Sequence, residues 1–150
     1  MKTLLLSLTA FCLGLTVCLA SPQMGTWKLN EAKSKIPGMA KNITVVYSAD
    51  GDNVKVTIDG TDDKGKPTHN TWTGKFDGKD YAVTGDPESD MRSYKMVNER
   101  TLDFAVKKGG KTTITGQIMV AEDGKSRTVT TNGKDDAGKE IKVVAVYDKQ

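Results

Sequence analysis

Cysteine is almost absent from this 150-residue sequence, because Cys12 and Cys18 are the only two and both lie in the first twenty residues. Residues 21–150 therefore have no disulfide to stabilise them and no thiol for catalysis or metal binding. His69 is the only histidine, whereas a Ser–His–acid triad or a catalytic zinc site depends on this residue type. We expect His69 to be a surface or barrel-rim residue, and we expect no enzyme activity, no metal site and no cofactor.

No charge of one sign dominates, since 22 basic residues face 19 acidic ones and the lysines are spread along the chain. A nucleic-acid-binding face requires a concentrated basic patch, so we expect no nucleic-acid partner. Leucine is also rare after residue 20, where it occurs only as Leu29 and Leu102, beside 12 valines, 6 isoleucines and 15 threonines. Because β-branched side chains favour strands over helices, this composition predicts an all-β fold.

The first twenty residues have the layout of a secretory signal peptide. Lys2 supplies a positive charge, residues 4–19 are almost wholly apolar, and Ala20 is small. The apolar run is shorter than the roughly 20 residues that span a bilayer, so we expect no transmembrane segment in the mature chain. We expect cleavage before Ser21, which leaves one exported domain, residues 21–150, in the periplasm or outside the cell.

Lipidation is the alternative fate of the amino terminus. Leu15-Thr16-Val17-Cys18 partly matches a bacterial lipobox, although Val17 stands where that motif prefers a small residue. In this alternative Cys18 carries a lipid and anchors the domain to a membrane.

Turn signals built on glycine, asparagine and aspartate recur about every ten to twelve residues, the spacing of a sandwich or a barrel. Between the turns, apolar residues alternate with polar ones, as where Val54, Val56 and Ile58 share one face of a segment. A period of two indicates strands with one buried face. The ten predicted strands are 24–29, 42–48, 53–59, 68–76, 80–84, 91–97, 101–107, 111–121, 126–132 and 140–148.

One short helix is predicted over residues 30–36, after the first strand. Asn30 is a suitable N-cap, Glu31 suits the first turn, and Pro37-Gly38 ends the segment. An open meander of ten strands would leave two exposed edges. We therefore predict a single antiparallel up-and-down meander of about ten strands closed into a small barrel, with a two-sheet sandwich as the alternative.

The segment Gly25-Thr26-Trp27-Lys28-Leu29 resembles the Gly-x-Trp signature of the calycins, the superfamily of lipocalins and fatty-acid-binding proteins. Val146-Tyr147-Asp148-Lys149 is similar to the closing strand of the fatty-acid-binding branch. The chain also resembles bacterial exported lipocalin-like proteins that begin Gly-Thr-Trp-Lys-Leu-Asn, a group that itself implies no function. The resemblance implies that Gly25 and Trp27 are structural and that Trp27 packs across a closed barrel end.

The resemblance stops where a ligand contact would be inferred. The fatty-acid-binding branch has an inward arginine two residues before the tyrosine, and here that position is Ala145, so only Tyr147 carries over. Arg92 could pair with an anionic head group if its strand face points inward, and otherwise it is an exterior residue. The candidate ligand-binding residues of the barrel lining are Val54, Val56, Ile58, Arg92, Phe104, Ile114, Ile118 and Tyr147.

The predicted barrel and its resemblance to the calycins allow two functions. The first is an exported, lipocalin-like binding protein, a monomer whose expected partner is a small apolar or amphipathic molecule such as a lipid. The second is a structural or interaction barrel of the cell envelope, with a filled core and no ligand. The sequence does not give the size of the interior, which separates the two.

Overall fold

The computed structural model describes residues 21–134 and 138–150, so the predicted signal peptide and Cys18 lie outside the described residues. Ten antiparallel strands form one closed barrel, in which β1 pairs with both β2 and β10. The strands are β1 (Gly25–Leu29), β2 (Lys41–Asp50), β3 (Asn53–Thr61), β4 (Pro67–Gly74), β5 (Tyr81–Thr84), β6 (Met91–Asn98), β7 (Thr101–Lys108), β8 (Lys111–Val120), β9 (Ser126–Lys134) and β10 (Glu140–Lys149).

The predicted fold class is wrong in its helix. Residues Glu31–Lys33 form only a single 3-10 turn, which Asn30 caps by accepting a hydrogen bond from the Lys33 backbone N–H. Ser34 is extended, and Lys35 then forms a bridge with Val144 at the edge of β10 that also pairs with β1. Pairing with the sheet satisfies the backbone groups that a longer helix would have bonded internally, so the corrected class is a closed all-β barrel.

β2 is longer than predicted. It has ten residues (Lys41–Asp50) against the predicted 42–48, because pairing continues to the polar Asp50 at its end. β8 and β10 also have ten residues, and their bounds lie within one residue of the predicted 111–121 and 140–148. β5 is the shortest strand of the barrel, with four residues and only two paired positions on each side. The wall is therefore least extensively hydrogen-bonded at β5.

Loops alternate between two ends of the barrel, because each strand is followed by its antiparallel neighbour. At one end, which we call the Trp27 end, lie residues 21–24 and the connections after β2, β4, β6 and β8. At the other, which we call the Arg92 end, lie residues 30–40 and the connections after β3, β5, β7 and β9. Alternate side chains of every strand point into the barrel and form its core.

Among residues 21–134 and 138–150, no helix has the length and apolar character needed to cross a bilayer. No group of three or more His, Asp or Glu side chains in this part of the chain is placed to hold a metal ion.

Candidate functional site

All eight predicted lining residues lie on the inward face of the barrel, as the strand registers show. Val56, Ile58, Ile118 and Tyr147 are buried in the central core, and Arg92 is also buried. Val54, Phe104 and Ile114 are partly buried. The alternative of an exterior Arg92 is therefore wrong.

The Trp27 end is covered by the chain segment that precedes β1. Trp27 is 0% exposed, and its indole Nε1–H donates a hydrogen bond to the Gln23 carbonyl oxygen at 2.9 Å. The Gln23 side chain in turn donates to the Arg100 carbonyl at 3.0 Å across the opening. Gly25 has a φ of 110°, which L side chains rarely adopt, so this segment turns into β1 at a position that favours glycine.

Arg127 is the functional candidate that sequence reasoning missed. It lies on β9 opposite Tyr147 and is 2% exposed. The carbon of its guanidinium lies 4.8 Å, 4.9 Å and 5.0 Å from the ring centroids of Trp27, Tyr47 and Tyr147. Its Nε and Nη1 atoms are buried without hydrogen-bond partners, so the aromatic faces are its main electrostatic compensation.

The two tyrosines of this cluster are strongly perturbed. Burial raises the pKa of Tyr147 to about 12, although the Arg127 guanidinium lowers it. Burial and the neighbouring Tyr94 raise the pKa of Tyr47 well above its usual range, again against Arg127. The Tyr147 hydroxyl donates to the Asn42 carbonyl oxygen at 3.0 Å. Its O–H group therefore points at the backbone rather than into the barrel interior.

Aromatic rings occupy the middle of the barrel. Tyr94 lies at the centre of this cluster, with ring centroids 4.8 Å from Trp72, 6.0 Å from Phe76 and 6.3 Å from Phe104. Tyr47 joins it at 6.3 Å and connects it to Arg127. These edge-on and tilted contacts are typical of a packed aromatic core, and they separate Arg127 from the Arg92 end.

An open hollow of about 810 Å³ lies at the Arg92 end, over the starts of β8 and β10 and the end of β9. The apolar side chains of its lining are Ile114 and Ile141, with Gly133 between them. The other lining residues are polar: Thr112, Thr113, Thr115, Asn132, Lys134, Glu140 and Lys142. A Cβ atom on Gly133 would lie 3.6 Å from the side chain of Ile114 and 4.0 Å from that of Ile141. The missing side chain of Gly133 therefore leaves space on the inward face.

Arg92 lies on the same inward row as this hollow, since Arg92 pairs with Val106 and Val106 pairs with Ile114. Arg92 is 6% exposed. Its Nη2 lies 3.4 Å from Asn70 Oδ1 and 3.7 Å from Asp86 Oδ2, and its Nη1 is buried without a partner. The Arg92 end thus combines apolar surface with a guanidinium that has a free donor.

The remaining candidate for chemistry lies on the outer surface. His69 Nδ1 is 2.6 Å from Asp59 Oδ1, and both side chains are more than half exposed, at 62% and 56%. β4 and β3 place this pair outside the barrel. The pair has the geometry of an exposed surface contact and shares no residue with the interior.

No protein-family model and no curated protein matches this chain. Among solved structures, EF1p2_mFAP2b bound to DFHBI is 14% identical, with a TM-score of 0.49 over 87% of this chain and 96% of that chain. A redesigned beta barrel, mFAP1, bound to DFHBI is also 14% identical, with a TM-score of 0.45 over 86% and 98%. The class of the protein therefore rests on its own structure. It is a closed ten-stranded antiparallel β-barrel with two interior arginines, Arg92 and Arg127.

Proposed function

We propose that this protein is an exported, monomeric carrier that binds a small amphipathic molecule at the Arg92 end of its barrel and catalyses no reaction. One observation carries the proposal. The inward row at this end holds a buried guanidinium, Arg92, with an unpartnered Nη1, and on the far side of Val106 it reaches Ile114, which lines the hollow. An apolar tail would occupy the hollow, and a polar head group would bind Arg92.

The unpaired donor of Arg92 favours a ligand on energetic grounds. A buried polar group without a partner lowers stability by about 1–3 kcal/mol, and a buried ion pair is often less stabilising than apolar residues of the same volume. A barrel selected for stability alone would gain by replacing Arg92 with an apolar residue. Arg92 is explained if a ligand supplies the missing acceptor.

The size of the hollow also fits a ligand. Small-molecule sites occupy about 300–1,000 Å³, a range that includes the volume of the hollow, about 810 Å³. The resemblance of Gly25-Thr26-Trp27 to the calycin signature gives independent support, because those families include carriers of apolar molecules. The residues proposed to form the site, Arg92, Ile114 and Ile141, are not taken from those families.

The second candidate, a structural barrel without a ligand, is favoured by the aromatic cluster. The rings of Tyr47, Trp72, Tyr94 and Phe104 pack against one another in the middle of the barrel. A ligand confined to the Arg92 end leaves this cluster intact, whereas one that spans the barrel would have to displace it.

A titration with a fluorescent fatty-acid analogue separates the two candidates. We expect saturable binding near one ligand per chain to residues 21–150, with displacement by unlabelled lipids. Gly133→Leu, which fills the hollow, should weaken binding by at least about tenfold, or roughly 1.4 kcal/mol. Thr130→Leu, on the outward face of the same strand, is the matched control and should bind as the wild type does. Absence of binding across several apolar probes would favour the structural barrel.

Export is supported by the layout of the first twenty residues and is tested on the protein recovered from its host. Cleavage before Ser21 predicts the mass of residues 21–150 without modification. A chain that begins at Cys18 and carries acyl groups would instead establish the lipoprotein alternative, and a full-length chain would contradict export by either route.

A further inference from the structure

The loop between β5 and β6, residues 85–90, borders the proposed site. Ser89 is 3% exposed, and its hydroxyl donates to Asp86 Oδ2 at 2.6 Å. The Asp90 backbone N–H donates to the Lys107 carbonyl at 3.0 Å. The Lys108 ammonium donates to the Pro87 carbonyl at 2.8 Å. The loop is thus folded against the end of β7 beside the opening of the barrel.

Asp86 is the only carboxylate within 4.0 Å of Arg92 in the described part of the chain. The separation of 3.7 Å between Asp86 Oδ2 and Arg92 Nη2 is an ion-pair distance but too long for a charge-assisted hydrogen bond, which measures about 2.7–2.9 Å. Asp86 is also partly solvated, because its side chain is 21% exposed. The carboxylate therefore occupies one side of the guanidinium without engaging it closely.

The planar guanidinium is suited to binding a carboxylate through two parallel hydrogen bonds. Asp86 makes no such bidentate contact, and Nη1 is left free. A ligand carboxylate that approached Arg92 closely would meet the negative charge of Asp86 beside it. Like charges disfavour one another at this range, so the two carboxylates compete for the same cation.

We propose that Asp86 is an internal competitor for the anionic head group of the ligand at Arg92. The inference rests on the proposed function, because it concerns the same site. It assigns an anionic head group of carboxylate type to the ligand and makes Asp86 a specificity-determining residue. Binding then exchanges a weak internal ion pair for a closer contact with the ligand.

The test compares a fatty carboxylate with the uncharged alcohol of the same chain length. Asp86→Asn removes the competing charge while keeping the shape of the side chain, and we expect it to bind the carboxylate about threefold to tenfold more tightly. Arg92→Met should bind the carboxylate at least about tenfold more weakly. Neither substitution should change binding of the alcohol by more than about twofold.

Asp62→Asn provides a matched control at the same end of the barrel. Asp62 accepts hydrogen bonds from the backbone N–H groups of Lys64 and Lys66 in its own loop, and Arg92 is not among its ion-pair partners. Asp62→Asn should bind both probes as the wild type does. An equal gain in affinity from Asp62→Asn and Asp86→Asn would overturn the proposal, because it would reflect net charge alone.

Binding of both probes with no effect of Asp86→Asn would reject the competitor while leaving the carrier function intact. Failure of the wild-type protein to bind either probe would reject both proposals. A neutral alcohol that displaces the carboxylate with equal affinity would show that the head group is not anionic.

Discussion

Replacing Trp27 with alanine is expected to lower the free energy of unfolding by about 3–5 kcal/mol. Trp27 is 0% exposed and fills the Trp27 end beneath residues 21–24. The substitution removes a large apolar side chain, leaves the Gln23 carbonyl without its donor, and exposes Arg127 to the resulting cavity. Because single domains are stabilised by only about 5–15 kcal/mol, the variant should unfold at a much lower denaturant concentration.

Two control variants separate burial from the other contributions. Trp27→Phe keeps an aromatic face for Arg127 but loses the indole N–H, so it should cost less than Trp27→Ala. Val97→Ala removes an apolar side chain that is 52% exposed and should change stability by no more than about 0.5 kcal/mol. A loss of less than about 1 kcal/mol for Trp27→Ala would show that the Trp27 end is not part of the cooperative core.

Alkaline pH is expected to destabilise the barrel through Tyr147. Its pKa is about 12 in the folded chain, against 10.0 for an unperturbed tyrosine. The folded state therefore holds the phenolic proton over a range in which the unfolded state has lost it. This contribution to stability is complete below about pH 10, falls as the pH rises toward about 12, and amounts to about 3 kcal/mol. The pKa of Tyr47 is raised in the same direction and adds to the loss.

Unfolding in denaturant, measured at several pH values across this window, tests the effect. Lysines titrate in the same range, so the informative quantity is the difference between the wild type and Tyr147→Phe. The phenylalanine variant cannot ionise at this position, and its stability should fall less steeply with pH. Parallel pH dependences for the two proteins would mean that the Tyr147 proton is not retained on folding.

The strand content of the fold was predictable because the physical signal is local. Alternation of Val54, Val56 and Ile58 between turn residues requires only that one strand face is buried, and β3 has this pattern. The helix prediction failed because capping signals at Asn30 and Glu31 act on the first turn alone. Whether a second turn forms depends on competing backbone partners, and the edge of β10 supplies them at Val144.

The interior site was predictable only in part. The alternation along each strand assigned Arg92 and Ile114 to particular strand faces. It did not locate Asp86, the ion-pair partner of Arg92, because Asp86 lies in a loop, and a loop has no periodic pattern. Arg127 was missed because its segment alternates poorly, as Val129 is followed on the inward face by Thr131 and Gly133. The Asp123-Gly124 turn could have placed Arg127 on the inward face. A hairpin closed at this turn pairs Arg127 with Val120, and Val120 is buried.

The pairing of β1 with β10 also determines when the molecule can fold. The aromatic cage around Arg127 takes Trp27 from β1, Tyr47 from β2 and Tyr147 from β10, so it joins the two termini of the domain. A chain made from its amino terminus holds an incomplete cage until β10 has been synthesised. Contacts this distant in sequence slow folding. The barrel therefore cannot close before β10 has been made and can pair with β1.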